Sequence, residues 1–403
     1  MLTTERAYGV LTSDCDAKCR TQHELKYLDC SRTCHRSPVS TSYVPCTLQC
    51  VSAVMKCRHV SSTLSPLAAL TSEFMVSHNL DLSCRDISPL TFEEWSAKYP
   101  IQRRLALKRE KERVLSEGLT SRDSLVSCFL KNETTTKMTT PRNISPRTDA
   151  FLATIGPHIA AVERILGHEE FLVKGLNLKE RDDKLNAVLP GWKAYLETDY
   201  TRFDRSISYA ALVQIQDVLF RYSSRDQLFR ACLELAHTTH GSSHHGVEYD
   251  VTGTRCSGDA HTSIGNGFIN AVNTYVCMRH IPRAGWVSIH EGDDGIIATN
   301  NENDARHGLN QLPAMGFDIK CDVHNQLDKV SFCGRHFYLD TDLKYKTHAD
   351  LLRSLNKFHT TVSNHKAATL AYAKSLSYNF TDSDTPLIGP LTYAICKVLE
   401  SKT

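Results

Sequence analysis

From Ala150 onward the sequence predicts a mixed body of helices and sheet, α/β or α+β, on three observations. Helix-period apolar segments alternate there with short runs of β-favouring residues. No long Gly/Ser-rich or Pro-rich tract separates them, so subdomains should pack on one another and not swing on a tether. The length of 403 residues exceeds what one core usually needs and points to two or three such subdomains.

Charge narrows the function classes. The chain carries 47 Lys plus Arg against 45 Asp plus Glu, a formal net charge of +2. That balance excludes a polycation binding nucleic acid by bulk charge, but not a basic groove offset by acidic patches. Residues 101–150 hold eleven Lys or Arg against six Asp or Glu, a local excess of that kind. No run of eighteen apolar residues occurs, and Met1 to Ala17 are polar, so neither a membrane span nor a secretory leader is expected.

Residues 1–88 form a separate region by composition. Cys15, Cys19, Cys30, Cys34, Cys46, Cys50, Cys57 and Cys84 lie there, out of fifteen cysteines in all. Three C-x-x-x-C pairs recur every fifteen or sixteen residues, and a separation of four puts both sulfurs on one helix face. Such pairs can supply a Zn2+ site, with His23, His35 or His59 as further ligands, or they are reduced thiols on helical hairpins.

Next come a charged helix expected around Thr91–Lys111 and a Pro-containing basic loop from Lys131 to Arg147. Trp192 to Thr198 reads as a strand ending at Asp199. Beyond Asp204, Ile207, Ala211, Ile215, Val218 and Tyr222 recur at helical steps, predicting one helix with a single buried face. A strand end followed by a turn can direct Asp199 and Asp204 into one cleft; the simpler reading is helix capping.

Cys256 to Asn266 is a hydroxyl-rich loop feeding a helix whose apolar face is Ile264, Phe268, Val272 and Tyr275. Ser257, Thr262 and Asn266 suit sugar and phosphate recognition, and Gly258 leaves backbone N–H groups open to close approach. Finally, Trp286, Val287 and Ile289 precede His290-Glu291-Gly292-Asp293-Asp294-Gly295, and Ile296, Ile297 and Ala298 follow it. This is a hairpin with two carboxylates at its tip. Adjacent aspartates repel unless a cation neutralises them, and a hard ion such as Mg2+ takes oxygen ligands. A Gly-Asp-Asp triplet alone arises by chance in about one chain in ten of this length.

Taken in order, these segments resemble the viral RNA-dependent RNA polymerases. Asp199-x4-Asp204 resembles the family's motif A, Ser257-Gly258-x3-Thr262-x3-Asn266 its motif B, and Gly292-Asp293-Asp294 its motif C. Met315 to Lys320 resembles motif D and Ser331 to Gly334 motif E. Phe129 to Glu133 with Pro141 to Arg147 resembles motif F. The last stretch, with Lys174-Gly175 and Arg255 to Asp259, is most similar to the tombusvirus-like and noda-like positive-strand RNA viruses. The resemblance spans Phe92 to Asp340.

The resemblance implies an α+β right hand of fingers, palm and thumb, with an antiparallel palm sheet. Fingers and palm would occupy residues 89–330, and motif E with a small thumb residues 331–403. It implies template-directed RNA synthesis by two-metal nucleotidyl transfer, with Asp199, Asp293 and Asp294 holding Mg2+ or Mn2+. Asp204 and Asn266, supported by Ser257, Gly258 and Thr262, would sense the ribose 2′-hydroxyl. Lys131, Arg142 and Arg147 would line the nucleotide path, and Lys320 would protonate the leaving pyrophosphate, with Lys329 as its competitor.

Partners implied are a single-stranded viral RNA template, nascent RNA, ribonucleoside triphosphates, and another viral protein or host factor for membrane recruitment. The implied place is the host cytoplasm at membrane-associated replication sites. Glu291 and His290 depart from the family pattern, which often has two asparagines there. Two rival readings are a reverse transcriptase and a catalytically inactive polymerase-like RNA-binding scaffold; the intact carboxylates and the Ser257–Asn266 segment weigh against both.

Overall fold

The structure, a computed structural model, describes residues 67–80, 87–135 and 140–400. The eight amino-terminal cysteines lie outside the described residues, and with them the zinc expectation. The other seven are free thiols scattered singly, five of them buried.

The strands are β1 (Val126–Leu130), β2 (Asn143–Ile144), β3 (Ala194–Tyr200), β4 (Thr238–Ser243), β5 (Glu248–Thr252), β6 (Trp286–Glu291), β7 (Asp294–Thr299), β8 (Ile319–His324), β9 (Ser331–Phe332), β10 (Arg335–Leu339) and β11 (Tyr345–Ala349). They form three sheets, in the orders β6-β7-β3-β8, β2-β1-β4-β5 and β11-β10-β9. The first is antiparallel throughout. In the second, only β1 and β4 run parallel.

The first sheet carries the predicted strand and hairpin, and strand alternation gives it two buried faces. Leu196 and Ile297 join the largest core, with Phe268, Ile269 and Val272 of the helix Thr262–Met278 and Phe151, Ile155 and Ile159 of the helix Asp149–Leu166. Tyr195, Ile289, Ile296 and Ala298 face the other way, onto Leu185, Leu189, Val330, Phe332 and Phe337. The helix Thr262–Met278 is buried on every side from Ile264 to Met278, more than its predicted apolar face.

Two predicted helices are broken. The charged helix divides into Phe92–Ser96 and Ile101–Glu117. Pro100 stands between them, in an extended conformation that a helix interior cannot take. Around Asp204 the chain forms the short helix Phe203–Ser206, turns at Ile207, and resumes at Tyr209, with a π-helical turn over Leu212–Gln216 before Asp217–Ser223. The wider turn shifts the helical phase. Ile207, Ala211 and Ile215 are buried as predicted, but in the helix past Gln216 the buried apolar residues are Leu219 and Phe220, and Tyr222 is exposed.

Candidate active site

Asp199 sits near the end of β3, on the face of the sheet shared by Tyr195 and Glu197. Thr198 pairs with Gly295, so Asp199 falls one step beyond, beside Asp294 of β7. Asp293 occupies the two-residue turn between β6 and β7, after Gly292 at φ 64°. A first turn residue with positive φ is the place a tight hairpin gives to glycine. Asp199, Asp204, Asp293 and Asp294 all line one cavity of about 930 Å³.

The clustering leaves an electrostatic mark. Burial pushes the Asp293 carboxyl up to about 6; its own backbone N–H opposes the shift, and the charges of Asp294, Asp204 and Asp199 add to it. Burial also raises Asp294, with Asp199 and Glu291 adding to the effect and the Cys333 thiol and Arg181 opposing it. Among the described residues no group of three or more His, Cys, Asp or Glu side chains is already arranged to hold a metal ion. The donors here are oxygens spread along an open wall, the kind of site that a hard cation shares with water and phosphate.

Asp204 is fixed by two donors. Asn266 Nδ2 donates to its Oδ1 at 2.8 Å, and the Ser257 hydroxyl donates to its Oδ2. Thr262 lines the same cavity while its hydroxyl donates to the Cys256 carbonyl at 2.9 Å, closing the loop that carries Ser257. Gly258, at φ 122°, serves that loop instead of the cavity wall. A Cβ there would lie 3.3 Å from Pro146 N, and the adjoining Ser145 N–H donates to the Ser257 carbonyl at 2.7 Å.

The predicted cations separate. Arg142 lines the cavity and is held by Glu133, whose two carboxylate oxygens accept from its Nε and Nη2. Lys131 lies 3.6 Å from the same Glu133 and outside the lining. Arg147 is a correction: its side chain is only 1% exposed and cannot border a nucleotide path. It is a buried tie, donating to Asp259 Oδ2 at 3.2 Å, the Ser124 carbonyl at 2.7 Å and the Ala236 carbonyl at 3.2 Å. Lys320 is exposed on β8, on the Asp199 face of the sheet but outside the lining; Lys329 is exposed in the turn Leu327–Lys329.

Other residues of the site were missed by the sequence reading. Asn270 Nδ2 lies 3.2, 3.1 and 3.3 Å from the carbonyls of Gly292, Asp293 and Asp294, so one amide holds the acidic turn. Its signal was present: Asn266, Asn270 and Asn273 recur at helical period in an otherwise apolar helix. Gly267 lets that helix close in, since a Cβ there would meet Leu172 at 2.9 Å and Gly292 N at 3.5 Å. Arg181 donates to Glu291 Oε2 at 2.7 Å and lies over the Phe332 ring, tying the helix Leu178–Val188 to the hairpin. Arg202, Arg205 and Arg353 add positive charge to the cavity wall. Arg202 precedes and Arg205 lies within the short helix Phe203–Ser206, and Arg353 lies in the helix Leu351–Phe358; single arginines so scattered share no period that would mark them in the sequence.

A model of the family described as viral RNA dependent RNA polymerase matches residues 52–381, and the chain belongs to that family. Among its relatives, the RNA-directed RNA polymerase of Pariacoto virus is 28% identical over 278 residues, covering 66% of this chain and 28% of that protein. That of greasy grouper nervous necrosis virus is 27% identical over 317 residues, 75% of this chain and 31% of its own. That of groundnut rosette virus is 26% identical over 274 residues, 61% of this chain and 32% of the relative. The chain thus spans about a third or less of the curated relatives it matches.

Proposed function

We propose that this chain carries the catalytic region of a viral RNA-directed RNA polymerase and joins ribonucleotides on an RNA template. The observation that carries the reading is one cavity lined by Asp199, Asp293 and Asp294 together with the linked trio Asp204, Ser257 and Asn266. In the right-hand description, the sheet β6-β7-β3-β8 would be the palm, β2-β1-β4-β5 would belong to the fingers, and residues 331–403 would make a small thumb.

Asp199 and Asp293, assisted by Asp294, would hold Mg2+, or Mn2+ in its place. Bound there, the cations would lower the pKa of the attacking hydroxyl and neutralise charge on the triphosphate. The chain's own groups do the rest. Arg142, with Arg202, Arg205 and Arg353 around the same wall, attracts and orients the triphosphate. Asp204, Ser257 and Asn266 read the ribose. The 3′-hydroxyl of the growing strand gives up its proton to solvent and attacks the α-phosphate, the bond to the β-phosphate breaks, and pyrophosphate leaves with a proton for which Lys320 is the candidate donor. Template contacts to the RNA backbone should weaken with salt. The reading places the reaction in the host cytoplasm at membrane-associated sites reached through another protein, a placement that follows from the resemblance alone.

The test is to incubate the purified chain with single-stranded RNA, labelled ribonucleotides and Mg2+ or Mn2+, beside an Asp293→Ala control. Template-dependent product that the substitution abolishes is the expected result. Product in both samples, or in neither, overturns the reading; preferential use of deoxynucleotides turns it into reverse transcription.

A further inference from the structure

We infer that Arg255 is the positioning residue that orients Asn266, and through it Asp204, for selection of the sugar; the inference rests on the polymerase reading above. Arg255 is 2% exposed and reaches no substrate. Its backbone belongs to a strap laid across the turn that carries Asp204. Gly253 N–H donates to the His237 carbonyl at 2.8 Å, Thr254 N–H to Ile207 at 2.7 Å, and Arg255 N–H to the carbonyl of Asp204 itself at 2.8 Å. Thr254 takes φ 62° to make this bend, a conformation rare for a β-branched residue and held here by the bonds on either side.

The side chain then acts on the amide. Arg255 Nε donates to Asn266 Oδ1 at 2.9 Å. A guanidinium has no acceptor, so the Asn266 oxygen must face Arg255 and its NH2 must face Asp204, to which it donates at 2.8 Å. Turned over, the amide would set its oxygen against the carboxylate. Space for the guanidinium is reserved by Gly265, where a Cβ would lie 2.8 Å from Arg255 Nη2.

The consequence falls on the sugar. The Ser257 hydroxyl is already spent as a donor to Asp204 Oδ2. Its lone pairs, and those left on Asp204, are acceptors at the cavity wall. A ribose 2′-hydroxyl can donate to them and a 2′-deoxyribose cannot; a buried acceptor left unpaired discriminates against the sugar lacking the donor.

The experiment compares Arg255→Met and Arg255→Lys with wild type for single-nucleotide incorporation of a ribonucleotide and its 2′-deoxy analogue in Mg2+. Each is repeated in an Asn266→Ala background. The expected result is a fall of about tenfold in the ribo-to-deoxy ratio of kcat/KM for Arg255→Met, the size of one hydrogen bond to a charged group. The fall should be smaller for Arg255→Lys and absent when Asn266 is already alanine, because both substitutions remove one linkage. A ratio that stays constant while both substrates slow equally, or effects that add in the double variant, overturns the inference. If Arg255→Met does not fold, Arg255→Lys with and without Asn266→Ala decides the matter by the same ratio. A wild-type chain that incorporates neither nucleotide overturns the polymerase reading and the inference with it.

Discussion

Asp199 and Lys320 stand opposite one another as an antiparallel pair across β3 and β8. Their side chains share the sheet face that also carries Asp294, and directly paired positions have Cβ atoms only about 5 Å apart. A lysine stem is long enough to carry its ammonium from there past Asp199. Lys329 has no such register: it sits exposed in a short turn beside Asp328. Lys320→Met should therefore slow single-nucleotide incorporation by about a hundredfold, the lower end of what a positioned acid contributes, with little change in nucleotide KM. Lys329→Met should leave the rate within about twofold. Rapid-quench measurement on both variants checks this, and a loss confined to Lys329→Met would reverse the roles.

A second prediction concerns Asn270. Its amide has only two hydrogens for three carbonyls, so the turn Gly292-Asp293-Asp294 shares them in a bifurcated arrangement. Asn270→Ala frees the turn and should lower kcat about tenfold or more, while costing roughly 1–3 kcal/mol of stability. Asn270→Asp should be worse than alanine, because a carboxylate would face three carbonyls and a neighbouring acidic cluster. Incorporation rates and denaturant unfolding of the two variants give the order.

The line between legible and illegible follows periodicity. The hairpin predicted around Gly292-Asp293 is present as β6 and β7, and the strand predicted over Trp192–Thr198 is present as Ala194–Tyr200. Both are short segments rich in aromatic or β-branched residues and bounded by turn residues, a pattern that favours a strand. The helix after Asp204 was legible only as far as Ile215, because a π-helical turn changes the phase without changing composition. Charge was read least well. Arg142 and Arg147 look equivalent in a basic loop, yet one meets the cavity and the other is buried against Asp259. That choice depends on strands β4 and β5 and the Cys256 loop, about a hundred residues downstream, and no local pattern encodes it.

The contrast between those two arginines gives a third prediction. Arg147→Met removes the guanidinium beside Asp259, whose side chain is 2% exposed, and should destabilise the fold by about 3–5 kcal/mol. Arg142 is 64% exposed at its side chain, and among the described residues its guanidinium is bonded to Glu133, so Arg142→Ala should leave the melting temperature nearly unchanged. It should instead raise KM for the nucleotide. Thermal melts and steady-state kinetics on the two variants separate a structural arginine from a substrate-facing one.

The last prediction is a pH dependence set by a carboxylate outside the acidic cluster. Asp382 follows the helix Ala367–Thr381 and receives Arg335 Nη2 at 2.9 Å and Nη1 at 3.3 Å, the Ala349 N–H at 2.8 Å and the Thr381 hydroxyl at 2.7 Å. These contacts fasten β10 and β11 to the carboxy-terminal helices. Burial alone would raise the Asp382 carboxyl, but the bonds from Arg335, Ala349 and Thr381 outweigh it and hold the group below its ordinary 3.8. A carboxyl depressed on folding stabilises the native state above its unfolded value, and that contribution fades as pH falls below about 4. Asp382→Asn leaves Arg335 without its anion and should cost about 3 kcal/mol at pH 7. The difference from wild type should hold steady above about pH 5 and shrink as the pH falls below about 4. Urea unfolding across that range measures it; a gap that stays constant with pH would show that the carboxylate charge is not what fastens these elements together.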